Sequence, residues 1–160
     1  MKNYKSKSSF SVKLITIGTV VVMGIVVLSI LTLNEKYGII GGIIISLIIL
    51  STLIYFYANS LKKILIEEKH LTLEKNIGKI EIPFSDIIKI EKLDFSNLSM
   101  TYGSKGVFGY IGNTMDDSIS MVNDRKNMVR IITNDKKYTI SSERPQDLIK
   151  DIKNVLQHRV

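Results

Sequence analysis

Few side chains in this sequence are of the kind that make or break bonds. The two histidines, His70 and His158, lie far apart in the chain, and cysteine is absent. Without cysteine there is no thiolate nucleophile, no disulfide and no Cys-ligated zinc or iron–sulfur site. The spacings H-x-E, H-E-x-x-H, G-x-S-x-G and D-x-D-x-[DN]-G are all missing. Carboxylates alternate with lysines, as at Lys79/Glu81 and Lys89/Glu91, which is the pattern of a solvated strand face. The expectation is a protein that is not an enzyme, with no catalytic residue, metal or cofactor.

Binding chemistry has more to work with. Residues 103–112 carry Gly103, Gly106, Gly109 and Gly112 at a three-residue period. A glycine-rich backbone can approach a ligand closely; Lys105 would add charge, and Phe108 and Tyr110 apolar surface. These seven residues are the candidate interaction loop. The segment is not a phosphate-binding P-loop, since no Gly-Lys-Ser/Thr follows the spacer, and the glycine spacing is not that of a dinucleotide fingerprint. A purely structural reading stands beside it: a twisted, bulged hairpin with Phe108 or Tyr110 packed on the domain. Two basic pairs, Arg125-Lys126 and Lys136-Lys137, fall in turns, and would meet anionic headgroups if they share an edge.

The elements that position these residues come in two kinds. Residues 14–34 and 37–61 contain no charged side chain. A bilayer core of about 30 Å needs about 20 helical residues, so each run is a predicted transmembrane helix. The short link between them makes the helices antiparallel neighbours. A cleaved signal peptide is disfavoured, because the first run exceeds an h-region of about 7–15 residues and has no A-x-A-like exit. Net charge is +7, and residues 1–13 hold four lysines and no acid. That basic N-terminus, with Lys62-Lys63 after the second run, places both termini on the cytoplasmic side of a multi-pass cell-membrane protein. The same distribution argues against nucleic-acid binding. Gly38 and Gly42 form a G-x-x-x-G, and folding the hairpin brings Ser29 near Gly42 and Gly24 near Leu47. These four residues are expected to pack the helices together, with a homodimer through the glycine face as the other use.

Residues 62–160 read as a separate domain with its own apolar faces, expected to fold without the spans. Period-two alternation recurs at Ile64/Ile66, Leu71/Leu73, Ile80/Ile82, Ile88/Ile90, Ile119/Met121, Val129/Ile131 and Tyr138/Ile140. About seven antiparallel strands are expected, arranged as a sandwich or barrel. Over residues 145–157 the pattern changes. Pro145 suits a first helical turn, and Leu148, Ile149, Ile152, Val155 and Leu156 form one apolar stripe. This amphipathic C-terminal helix is expected to cap the strands.

Strands followed by one such helix resemble the pleckstrin-homology-like fold. Four local segments resemble a bacterial PH-like domain family more closely. They are Ile82-Pro83-Phe84-Ser85-Asp86-Ile87, the stretch from Tyr102-Gly103-Ser104 to Tyr110-Ile111-Gly112, Asp124-Arg125-Lys126-Asn127-Met128-Val129, and Tyr138-Thr139-Ile140-Ser141. The likeness covers about residues 62–158, and members often carry one or two N-terminal spans, as this chain does. The resemblance implies a PH-like barrel of about seven antiparallel strands with a terminal helix, attached to a membrane α-helical hairpin. It implies a scaffold for binding a protein or peptide beside the bilayer. Some eukaryotic PH domains bind inositol lipids through basic residues on the first strand pair and its loop. The corresponding turn here is Glu67-Glu68-Lys69-His70, whose two acids argue against inositol-lipid binding. The expected function is a membrane-anchored, non-catalytic interaction module on the cytoplasmic face. The alternative is an accessory subunit of a transporter or export complex, with the hairpin as the working part.

Overall fold

The computed structural model describes residues 2–32, 36–95 and 98–157, with the side chains of all but 31 and 36–38. The chain opens with a short strand, β1 (Lys2–Lys5), and then two long helices, α1 (Phe10–Leu31) and α2 (Lys36–Asn59). The Ser9 hydroxyl accepts from the Val12 N–H (3.4 Å), so one of the free donors of the first turn of α1 is satisfied. Both helices are apolar on every side, long enough to cross a membrane, and almost entirely uncovered by the rest of the fold. A helix without a polar face suits lipid rather than water.

Nine strands follow: β2 (Leu61–Ile66), β3 (His70–Lys75), β4 (Lys79–Pro83), β5 (Ile87–Leu93), β6 (Met100–Lys105), β7 (Tyr110–Thr114), β8 (Ser118–Val122), β9 (Met128–Thr133) and β10 (Lys137–Ser141). The chain ends in α3 (Pro145–Gln157). Among the described residues the strands form two sheets, ordered β1-β2-β3-β4 and β5-β9-β10-β8-β7-β6.

The mainly-β domain with a C-terminal helix agrees with the PH-like expectation, but three details differ. The sheets do not close into a barrel. There are ten described strands instead of about seven, because β1 has a single apolar residue and β6 and β7 are glycine-rich, so none of the three alternates. And one pair is parallel: the β9–β10 hairpin folds back so that β10 lies between β9 and β8, running alongside β8. A smaller shift occurs in β5. A bulge between Ile87 and Lys89 breaks the alternation, so Ile87 and Ile90 are buried while Ile88 is exposed.

The core lies between the two sheets. Ile64, Leu71, Leu73 and Ile82 from the first meet Ile90, Val129, Ile131 and Ile140 from the second, with Phe84 at the link between them. Leu148 and Ile152 of α3 are fully buried in the same cluster, so α3 packs by its stripe against β5 and β9.

β1 is part of this architecture even though about fifty residues of membrane hairpin separate it from β2. It pairs antiparallel with β2, Lys2 opposite Ile66 and Lys5 opposite Lys63. Tyr4 is only 5% exposed, and its hydroxyl donates to Asp151 of α3. Burial, and then the Asp151 carboxylate, push the Tyr4 hydroxyl up to about 12. Lys2 bonds the other oxygen of Asp151 (2.8 Å), and with Tyr4 holds that carboxyl below its usual range. The segment of residues 1–13 is therefore more than a basic tail. The β-domain that follows the spans is completed by β1 on one side of them and by Leu61, at 1% exposure, on the other.

Candidate functional site

The glycine segment forms the β6–β7 hairpin. Gly103 and Gly112 face each other across it, followed by Ser104/Ile111 and Lys105/Tyr110. Both glycines have positive φ, 116° and 142°. A Cβ on Gly112 would overlap the Tyr102 carbonyl and come within 2.8 Å of the Gly103 Cα; one on Gly103 would strike the Ile111 carbonyl. The two backbones can pair this closely only without side chains. Gly112→Ala is expected to lower stability by about 2–4 kcal/mol, from strained φ and overlap together. Lys105→Ala, on the exposed edge of the same hairpin, should change it by less than about 0.5 kcal/mol. Thermal unfolding of both variants checks this, and a Gly112→Ala protein as stable as its parent would refute the close pairing.

The hairpin tip closes with the Gly106 N–H donating to the Gly109 carbonyl (3.0 Å) and with Phe108 in the left-handed region, φ 57°. This tip is docked against both spans. The Phe108 N–H donates to the Thr16 hydroxyl of α1 (2.8 Å). The Phe108 carbonyl accepts from the Ser60 hydroxyl just after α2 (2.8 Å). Its ring stands edge-on to Tyr57 of α2, centroids 5.6 Å apart. The β3–β4 turn makes a second contact. The Asn76 side chain donates to the Tyr57 carbonyl (3.0 Å), the Ile77 N–H to the Ala58 carbonyl (3.0 Å), and Lys75 to the Asn59 side chain (2.9 Å). The last carbonyls of a helix lack partners within it, so this turn serves as the C-cap of α2.

The third contact is a buried hub. Asn123, at the end of β8, is 2% exposed. Its amide nitrogen donates to the carbonyls of Leu61 (2.6 Å) and Ser6 (3.2 Å) and lies 3.2 Å from the Ser6 hydroxyl. Its amide oxygen lies 3.1 Å from the Ser60 hydroxyl, whose one hydrogen it shares with the Phe108 carbonyl. Its own N–H donates to the Ser141 hydroxyl (2.8 Å), and its carbonyl accepts from the Ser9 N–H (3.0 Å). One residue thus ties the chain entering the spans, the chain leaving them and the sheet between. Sequence reading missed this hub. Asn123 looks like any turn asparagine, and Ser6, Ser9 and Ser60 are small polar residues with no pattern.

The other candidates are dispersed. Tyr110 is half-buried against Leu93, Leu98, Met100, Val122 and Met128. Arg125 lies over the Phe95 ring (4.1 Å) and near that of Tyr110 (5.2 Å), and donates to the Phe95 carbonyl (2.9 Å), so its half-buried guanidinium is engaged within the chain. Lys137 donates to the Asp116 carbonyl (3.1 Å). Lys126 and Lys136 are exposed. The two basic pairs lie at opposite ends of β9, roughly 20 Å apart at about 3.3 Å per residue, and share no edge. In the membrane hairpin, Gly42 lies against Ile30 of α1, one residue from the expected Ser29. Ser29 bonds its own helix at the Ile25 carbonyl (2.9 Å), and Gly24 faces open space. The surroundings of Gly38, the link at Glu35, and His158 lie outside the described residues. Among the described residues no three His, Cys, Asp or Glu side chains gather as metal ligands.

A family model described as bacterial PH domain matches residues 62–156, more than half of the chain. The match begins after the spans and does not include β1. No curated protein and no solved structure matches the chain.

Proposed function

The chain belongs to the bacterial PH domain family, and from that premise we propose a membrane-anchored, non-catalytic interaction module held against the cytoplasmic face of the cell membrane. The observation that carries the reading is the place of the hairpin, inserted between two paired strands of one domain. Because β1 and β2 fold together, the two spans must begin and end on the same side of the bilayer. Lys2, Lys5 and Lys7 before α1, Lys13 in its first turn and Lys62-Lys63 after α2 support the cytoplasm as that side. The three docking contacts then hold the domain at the membrane in a set orientation, where a loose tether would leave it free to turn. A protein or peptide partner is supported by β6, an edge strand of the six-stranded sheet with Tyr102 strongly exposed. An edge strand offers unpaired backbone groups to an extended peptide.

Single cysteines in this cysteine-free chain test the reading. Glu35→Cys should react with an impermeant thiol reagent in intact cells, and Lys136→Cys should react only after lysis. The opposite pattern overturns the orientation. A protein cross-linked to the parent chain should be lost with Tyr102→Glu; a partner indifferent to that change would remove the β6 edge from the reading.

A further inference from the structure

Where the glycine hairpin meets the spans, the docking leaves a slot of about 300 Å³. Val12, Ile17, Tyr57 and Phe108 supply apolar walls. Lys13 is its only charged lining residue, and no acid lines it. Three other lysines near the ends of the spans have carboxylate partners: Lys7 pairs with Glu143, and Lys62 and Lys63 with Glu74. Among the described residues no carboxylate pairs with Lys13, and the hydroxyl of Ser8, also in the lining, makes no hydrogen bond. The slot therefore combines two unused donors with walls that continue the lipid-facing surface of α1, where Ile17 is exposed.

We propose that this slot seats one anionic phospholipid of the bilayer, its phosphate against Lys13 and Ser8 and one acyl chain along Ile17, Tyr57 and Phe108. The proposal rests on the reading of α1 and α2 as membrane spans. A hydrocarbon chain reaches these walls without leaving the bilayer. A peptide backbone there would carry N–H and C=O groups that the apolar walls cannot satisfy, and the polar lining residues Thr16, Ser60 and Asn76 already donate within the fold. The cation selects a negative headgroup over a zwitterionic one, since a lysine at the membrane surface favours anionic lipid by about 1 kcal/mol, or about fivefold.

The full chain is reconstituted into nanodiscs of phosphatidylcholine with a minor fraction of phosphatidylglycerol, then released and weighed by native mass spectrometry. One phosphatidylglycerol should be retained per chain. Lys13→Gln should reduce that retention about fivefold, and Lys153→Gln, on the exposed face of α3 and outside the slot, should leave it unchanged. Ile17→Trp, which fills the slot with an apolar side chain, should also reduce it. Equal retention by the parent, Lys13→Gln and Ile17→Trp proteins overturns the proposal, as does equal retention of phosphatidylcholine. Two chains released together without lipid would instead assign the slot to a second copy. A chain that does not enter nanodiscs would overturn the reading of the spans, and the slot with it; a chain that enters without lipid preference overturns the slot alone.

Discussion

Residues 62–160, produced without the preceding chain, should be less stable by roughly 4–6 kcal/mol than a grafted chain in which residues 2–9 are joined by a short glycine–serine linker to residues 60–160. The shortened chain loses two buried side chains. Tyr4 and Leu61 both belong to the main core cluster, and burying each contributes about 1.5–3 kcal/mol. It also loses the β1–β2 ladder and the hold of Tyr4 and Lys2 on Asp151, which leaves the edge of the first sheet and one side of α3 uncovered. A small domain is stable by only about 5–15 kcal/mol, so a loss of this size leaves much of the population unfolded. The graft is feasible because Ser9 and Ser60 both bond to Asn123, so the two ends to be joined lie close together. Urea unfolding followed by circular dichroism compares the two chains. Stabilities equal within about 1 kcal/mol, the scale of one surface change, would mean that β1 does not take part in the folded domain.

Asn123→Asp in the full chain should cost about 3–5 kcal/mol at pH 7, the range for an unpaired buried charge. The amide nitrogen is the essential group, because it donates to the carbonyls of Leu61 and Ser6. A carboxylate there would face those two carbonyl oxygens with no hydrogen to give, while buried from water. Protonation would restore one donor. The folded state therefore raises the pKa of the new carboxyl above its unfolded value, and the penalty is absent below the unfolded pKa, about 4. The variant should approach its parent near pH 4 and lose stability as pH rises toward neutrality. Asn123→Leu removes donor and acceptor at once, so its destabilisation should lack that added pH dependence. Thermal unfolding of the three proteins in mild detergent, from pH 4 to 7, provides the measurement. An Asn123→Asp protein that tracks its parent across that range would show that the hub does not hold the junction together.

The parts legible in the sequence are those with a local physical cause. Two uncharged runs of helical length mark the spans, since partition into lipid depends on each segment's own side chains. The stripe through Leu148 and Ile152 marks α3, and seven alternating pairs mark strands from β2 to β10, because burying one face leaves a period of 3.6 or 2. The glycine period marked a special hairpin without showing what it touches.

The rest depends on residues distant in the chain. Lys2-Asn3-Tyr4-Lys5 has no strand pattern of its own; it is a strand because β2, which follows the two long helices, offers it an unpaired edge. Asn123 is buried and satisfied only because Ser6, Ser60 and Leu61, more than sixty residues away, are brought to it. Phe108 meets Thr16 across ninety-two positions of sequence. The sequence alone thus determined that there is a membrane hairpin and a mainly-β domain with a terminal helix. Only the tertiary structure decided that the first is threaded through the second and clamped to it, because hydrogen bonds between distant groups leave no periodicity along the chain.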